Sequence, residues 1–170
     1  MSLRFALVAA ACAALLGFGY YLQYGKGLEP CPLCLVQRGF FIALMAVCLL
    51  AALHRPARVG TVAYGLAAAL FALGGAAVAA RQVWLQHLPP DKVPQCGPDL
   101  FFMMENFPLS RTLQTLISGT GECAAVDWTF LRLSIAEWSL IWFSALFLYT
   151  IWLAARGPAA GPRGEALQRS

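Results

Sequence analysis

Charged residues are scarce in this chain of 170 residues, and their scarcity excludes the largest class of proteins. Only 12% of the residues are Asp, Glu, Lys or Arg, whereas 60% are hydrophobic. Soluble domains average about 25% charged residues, so a water-soluble fold explains this composition poorly. The basic residues are scattered beside apolar runs and do not form the patch that a nucleic-acid-binding surface requires. The composition therefore indicates a membrane protein without a nucleic-acid partner.

Four apolar segments are long enough to cross a lipid bilayer, and they cover residues 3–24, 35–53, 60–80 and 135–155. A helix needs ~20 apolar residues to cross the hydrocarbon layer. Backbone groups inside that layer must hydrogen-bond within their own segment, which favours helices. The sequence therefore predicts an all-α membrane protein, in which residues 1–155 form a single domain, a bundle of four transmembrane helices.

The basic residues are also distributed unevenly between the predicted ends and loops. One side of the bundle carries a net charge of +5 and the remainder a net charge of −1, which together make the +4 of the chain. The basic side holds one acid, Glu165, and six arginines: Arg4, Arg55, Arg58, Arg156, Arg163 and Arg169. Because cytoplasmic segments are enriched in Lys and Arg, we expect both termini to be cytoplasmic and loops 25–34 and 88–134 to be periplasmic. The tail, residues 156–170, is rich in Gly, Pro and Arg and is predicted to be disordered.

The predicted topology divides the six cysteines into two groups. Cys12 and Cys48 lie within apolar runs, where cysteine behaves as a small hydrophobic residue. The other four, Cys31, Cys34, Cys96 and Cys123, fall in the two outer loops. Disulfides persist in the oxidising periplasm of bacteria. The arrangement suggests two of them, Cys31–Cys34 and Cys96–Cys123, in a protein of the bacterial inner membrane.

The stretch CPLC, from Cys31 to Cys34, is better explained by reactivity than by stability. A disulfide that closes so short a loop stabilises a fold little, whereas Cys-x-x-Cys motifs favour the reactive thiolate. Pro32 suits the first turn of a helix that begins near Cys31. Arg38 follows Cys34 by four positions, so both would share one helix face. A charge within a membrane span indicates function, although a long side chain can also extend to the interface.

Two other interpretations of the four outer cysteines remain open at this point. Zinc sites often use Cys-x-x-Cys pairs, but Cys96 and Cys123 are 27 positions apart and do not form a second tight pair. The cysteines could also form structural disulfides in a membrane scaffold without enzymatic activity. A haem attachment site is excluded because Leu35, and not histidine, follows Cys34. We predict no metal.

Several motifs together resemble the DsbB family. They are CPLCLVQR (31–38), RQVWLQH (81–87), Cys96 and GECAAVDWTFLRLSIAEWS (121–139). The resemblance extends over most of residues 3–155. It implies a four-helix protein of the inner membrane that reoxidises the periplasmic thiol oxidase DsbA and passes the electrons to quinone, a system that keeps the bacterial periplasm oxidising.

The resemblance also implies a role for each outer cysteine. The thiol of reduced DsbA would attack Cys96, which gives a mixed disulfide and frees Cys123. Cys123 would then attack Cys31 and release Cys34 as a thiolate at the membrane edge. Cys34 would donate the electrons to ubiquinone or menaquinone.

The same resemblance implies a quinone site beside Cys34. Arg38 would stabilise the Cys34 thiolate and polarise a quinone oxygen, and His87 occupies the position of the quinone-site histidine of the family. The chain departs from the family at Ala136, where proline is usual. A second enzyme family, similar to vitamin K epoxide reductase, also combines Cys-x-x-Cys with four helices. That alternative is disfavoured because its Cys-x-x-Cys lies towards the end of the bundle.

Overall fold

The structure is a computed structural model that describes residues 3–54, 56–93, 108, 110, 119, 121–126 and 128–156. Among these residues are four long helices, α1 (Leu3–Lys26), α2 (Pro32–His54), α3 (Arg58–Gln86) and α4 (Ile135–Arg156). All four are long and apolar enough to cross a membrane. The prediction of four transmembrane helices is thus confirmed, and the chain is a multi-pass membrane protein.

The helices extend further than the apolar spans in the sequence. Helix α2 begins at Pro32, three residues before the predicted span, and α3 continues to Gln86, six residues beyond it. The predicted bounds followed hydropathy, whereas backbone hydrogen bonds continue through polar residues. Proline suits the first turn of a helix because the N–H groups of that turn have no helical acceptor, so the N–H that proline lacks is not needed there. As a result, Cys34 lies in the first turn of α2 and not in the preceding loop. Residues 157–170 fall outside the described part of the chain.

The helices pack in the order of the sequence, and the most extensive interface joins α3 to α4. Small residues allow this close approach, as is usual between helices in membranes. A Cβ atom on Gly75 of α3 would lie 2.3 Å from the ring of Phe143 on α4. That ring stacks on Phe41 of α2 with centroids 3.9 Å apart. Cys12 and Cys48 are fully buried in this core, in agreement with their interpretation as small hydrophobic residues.

A short hairpin precedes α4, within the predicted loop 88–134. Its strands are β1 (Thr129–Phe130) and β2 (Leu133–Ser134), which pair antiparallel. The turn between them consists of Leu131 and Arg132, with φ angles of 53° and 66°. Two-residue hairpin turns require such left-handed residues, although glycine and asparagine are the usual choices. This hairpin was not predicted from the sequence.

Helix α4 starts with a capping box formed by Ser134 and Glu137. The Ser134 N–H donates to Glu137 Oε2 over 2.7 Å, and the Glu137 N–H donates to Ser134 Oγ over 3.2 Å. These reciprocal bonds satisfy backbone groups that the first turn leaves without helical partners. Ser134 Oγ also donates to Gln86 Oε1 at the end of α3, over 2.7 Å. Side chains therefore define the start of α4, and the helix forms with Ala136 in place of the proline usual in the family.

Candidate functional site

Three cysteines meet at one end of the bundle, which we call the cysteine end. Cys31 directly precedes α2, and Cys34 lies in its first turn, with the two Sγ atoms 2.9 Å apart. Cys123 lies in a short 3-10 turn, Gly121–Ala124, and its side chain is in hydrogen-bonding contact with Cys31. The structure thus brings together three of the four predicted redox cysteines. Cys96, the fourth, lies outside the described residues.

Cys31 occupies the position of a helix N-cap. Its Sγ accepts a hydrogen bond from the Cys34 N–H over 3.4 Å, and its carbonyl oxygen accepts one from the Leu35 N–H over 3.1 Å. Sulfur here takes the place of the side-chain oxygen that usually caps a helix. The hydrogen bonds with Cys123 and Cys34, together with burial, raise the pKa of Cys31 above its ordinary value. These contacts therefore favour the protonated form of Cys31.

The segment that carries Cys123 is held by close apolar packing. Cys123 is fully buried in a cluster with Leu33 of α2 and Leu85 of α3, each of which is 1% exposed. The backbone passes the same two leucines at Gly119, where φ is +78° and a Cβ atom would lie 2.6 Å from Leu85 Cδ1. Only glycine adopts this conformation at so short a distance without strain. This packing places Cys123 against Cys31.

Two buried glutamines, neither of them predicted from the sequence, accompany the cysteines. Gln82 of α3 is 4% exposed and Gln37 of α2 is 3% exposed. Gln82 Nε2 lies 3.3 Å from the Sγ atoms of both Cys31 and Cys34, and Gln82 Oε1 accepts a hydrogen bond from Gln37 Nε2 over 2.7 Å. Buried polar groups are nearly always paired. The glutamine side chain of Gln37, within the apolar span 35–53, therefore already indicated a polar site on the facing helix.

Arg38 lies one turn after Cys34, as predicted, and its guanidinium group reaches helix α1. It donates hydrogen bonds to the carbonyl oxygen of Gly19, over 3.1 Å, and to Gln23 Oε1. Its central carbon lies 4.9 Å from the ring centroid of Tyr20. Among the described residues, the hydrogen bonds of Arg38 therefore go to α1 and not to Cys34. The side chain joins α1 to α2 and keeps a full charge near the cysteine end.

His87 follows the last residue of α3 and is exposed. Its Nδ1 lies 2.8 Å from the carbonyl oxygen of Val83. A carbonyl oxygen only accepts hydrogen bonds, so Nδ1 must carry the proton. In the neutral ring, Nε2 is consequently an acceptor. His87 can donate from Nε2 only when the ring is protonated.

Within the described part of the chain, no group of three or more His, Cys, Asp or Glu side chains is arranged to hold a metal ion. Cys96, which the zinc interpretation requires as a fourth ligand, lies outside that part of the chain.

The chain is similar to known disulfide bond formation proteins over most of its length. The family model described as "DsbB: Disulfide bond formation protein DsbB" matches residues 2–153. A relative from Methylococcus capsulatus is 52% identical over 148 residues, which cover 85% of this chain and 90% of the relative. One from Hahella chejuensis is 55% identical over 133 residues, which cover 78% of this chain and 81% of the relative. A third, from Chromobacterium violaceum, is 49% identical over 152 residues, which cover 89% of this chain and 92% of the relative. All three bear the name "Disulfide bond formation protein B".

Proposed function

Because the chain belongs to the DsbB family of membrane disulfide bond formation proteins, we propose that it is a protein-dithiol:quinone oxidoreductase of the bacterial inner membrane. It reoxidises a DsbA-like protein of the periplasm and passes the electrons to membrane quinone. The observation that carries this proposal is the contact of Cys123 with Cys31, beside Cys34. The distribution of basic residues supports an orientation with the cysteine end in the periplasm.

Electrons enter at the Cys96–Cys123 disulfide. A thiolate of the reduced partner attacks Cys96 Sγ, the Cys96–Cys123 bond breaks, and Cys123 leaves as a thiolate. The second thiol of the partner then resolves the mixed disulfide, which releases the oxidised partner and a reduced Cys96. Thiol–disulfide exchange of this kind always proceeds through a mixed disulfide.

The electrons then move to the first pair. Cys123 attacks Cys31 Sγ, and the bond between Cys31 and Cys34 breaks with its electron pair on Cys34. Cys96 next attacks Cys123, which restores the Cys96–Cys123 disulfide and leaves Cys31 as a thiol. The net result is that two electrons move from the partner to Cys31 and Cys34. The contact between Cys123 and Cys31 supports this step because the two side chains already pack together.

The residues at the cysteine end fit a quinone, either ubiquinone or menaquinone. Cys34 is half-buried at the start of a membrane-spanning helix, where a lipid-soluble acceptor has access. Quinone accepts two electrons and two protons. The reduction potential of DsbA is about −120 mV, so its reoxidation needs an acceptor that is more oxidising. Arg38 donates to Gln23 and Gly19 of α1, and its remaining N–H donors would serve a carbonyl oxygen of the quinone. His87 offers Nε2, as an acceptor when neutral and as a donor when protonated.

The proposal is tested by quinone reduction, with the purified full chain and reduced DsbA as the electron donor. We expect turnover in the unmodified chain, none with Cys34→Ser, and no mixed disulfide with DsbA in Cys96→Ser. Cys12→Ala serves as the control because Cys12 is buried in the bundle core, away from the cysteine end. Full turnover with Cys34→Ser would show that another thiol faces the quinone. A mixed disulfide in Cys96→Ser would place the entry point elsewhere.

The alternatives without enzymatic activity give different results in the same preparation. A scaffold with structural disulfides contains bonds that reduced DsbA does not open, and thiol trapping would find them unchanged. A zinc module would contain stoichiometric zinc in metal analysis. Either result would contradict the proposed oxidase.

A further inference from the structure

The amide of Gln82 lies against both sulfurs of the Cys31–Cys34 pair. We infer that Gln82 is a further catalytic residue, whose Nε2 donates a hydrogen bond to the Cys34 thiolate, and that Gln37 is a positioning residue that fixes the orientation of this amide. The inference rests on the proposed function because it assigns Cys34 as the thiolate that forms when Cys123 attacks Cys31.

The orientation of the Gln82 amide follows from its second partner. Gln37 Nε2 donates to Gln82 Oε1 over 2.7 Å, which directs the Gln82 NH₂ group towards the cysteines. Nε2 then lies 3.3 Å from each Sγ atom. Both glutamines are nearly inaccessible to solvent, so water does not compete strongly for these bonds. Hydrogen bonds to a charged acceptor are also stronger than those between neutral groups.

The same amide can serve Cys34 in both of its protonation states. Cys34 Sγ lies 3.7 Å from Gln82 Oε1, within the longer reach of a sulfur donor, so the thiol can donate to that oxygen. After proton loss, the thiolate accepts from Nε2 without any movement of the glutamine. Donors that are already in place when charge develops stabilise that charge most effectively. Gln82 is thus positioned for the moment at which the Cys31–Cys34 bond breaks and its electron pair remains on Cys34.

The other titratable and charged groups around Cys34 do not replace this donor. Cys31, directly before α2, and Cys123, on the docked segment, are thiols of the same relay. Among the described residues, Arg38 donates its hydrogen bonds to groups on α1. Within the described part of the chain, side-chain hydrogen bonds to Cys34 Sγ therefore come from Gln82 and Cys31. Of these two, Gln82 is the one that takes no part in the exchange of bonds.

The test measures the alkylation of Cys34 against pH in the fully reduced full-length protein. Peptide mass spectrometry distinguishes Cys34 from Cys31, and neither quinone nor DsbA is needed. Gln82→Met keeps the side-chain volume and removes the amide. Gln82→Glu keeps an oxygen for Gln37 and replaces the N–H donor. We expect both variants to shift the pH profile of Cys34 upwards, so that its thiolate is about tenfold less populated at neutral pH.

Two further variants separate positioning from general damage to the bundle. Gln37→Met leaves the donor but frees its orientation, and we expect about a threefold loss of thiolate. Thr150→Val is the control, because Thr150 is fully buried and, among the described residues, its hydroxyl donates within α4, to the carbonyl oxygens of Leu146 and Phe147. The control should leave the profile of Cys34 unchanged.

An unshifted profile in Gln82→Met and Gln82→Glu would overturn the inference. If Gln82→Met does not fold, the isosteric Gln82→Glu decides alone. A profile that shifts equally in Thr150→Val would also overturn it, since the effect would then be structural. The measurement is independent of turnover, so a shifted profile in a chain that fails to reduce quinone would contradict the proposed function and not the role of Gln82.

Discussion

Substitution of Gly119 by alanine tests whether the Cys123 segment is held by close backbone contact. At φ +78° a non-glycine residue loses about 1–2 kcal/mol. The added Cβ would lie 2.6 Å from Leu85 Cδ1 and 3.0 Å from Leu33 Cδ1. Both leucines are 1% exposed and have little room to move, so overpacking adds about 1–3 kcal/mol. Together these costs weaken docking by about 2–5 kcal/mol, which is roughly a 30- to 4,000-fold change in the docking equilibrium.

A membrane-impermeant maleimide reports this change, because Cys123 is fully buried while the segment is docked. In the reduced protein we expect Cys123 of Gly119→Ala to be labelled at least tenfold faster than in the unmodified chain. Gly27→Ala is the matched control, since Gly27 has φ +68° but an added Cβ would meet nothing within 4 Å in the part of the chain that the structure describes. It carries a similar backbone cost in another loop and should leave the labelling of Cys123 unchanged. Equal rates in Gly119→Ala and the unmodified chain would refute the reasoning and remove support from the route through Cys31.

Three further predictions concern the bundle, the start of α4 and the first cysteine. Gly75→Ala places a Cβ atom 2.3 Å from the ring of Phe143 and should cost about 1–3 kcal/mol; an unchanged Tm in detergent would contradict this. Ser134→Ala removes the oxygen that accepts from the Glu137 N–H and should cost about 1 kcal/mol, visible as faster hydrogen exchange in the first turn of α4; unchanged protection would count against the capping box. Because the pKa of Cys31 is raised, its thiolate is depleted at pH 8, and its alkylation should be slower than that of an exposed model thiol and should accelerate only at higher pH. Equal rates at pH 8 would show that the contacts with Cys123 and Cys34 do not hold the proton.

The four helices were predictable because a long, mostly apolar span is a strong local signal. The Cys31–Cys34 pair was also predictable, since three positions in one chain segment already place two residues close together. The start of α2 was predictable from Pro32, which suits the first turn of a helix, and the helix begins at that residue. The apolar span alone, residues 35–53, would have placed the start three residues later.

The pairing of Gln82 with Gln37 depends on how α2 and α3 are rotated towards each other. Helices that are apolar on every side do not encode this rotation in their hydrophobic pattern. The contact of Arg38 with α1 was missed for a related reason, because the spacing of four residues from Cys34 describes only its own helix. The hairpin was missed because Leu131 and Arg132 are unusual residues for its turn. In each case the information lies in tertiary packing and not in the local sequence.

The complete burial of Cys123 beside Cys31 also has a consequence for competing reactions. Small thiols dissolved in the surrounding water could in principle reduce the same disulfides and divert the electrons. A sulfur that no solvent reaches is protected from them for as long as the segment stays docked. The neighbouring sulfur, by contrast, reacts as if it were present at a very high local concentration, since well-oriented intramolecular groups reach effective molarities of about 10⁵–10⁸ M. In the proposed relay, the docked segment would therefore insulate the exchange between the two pairs from the redox composition of the medium.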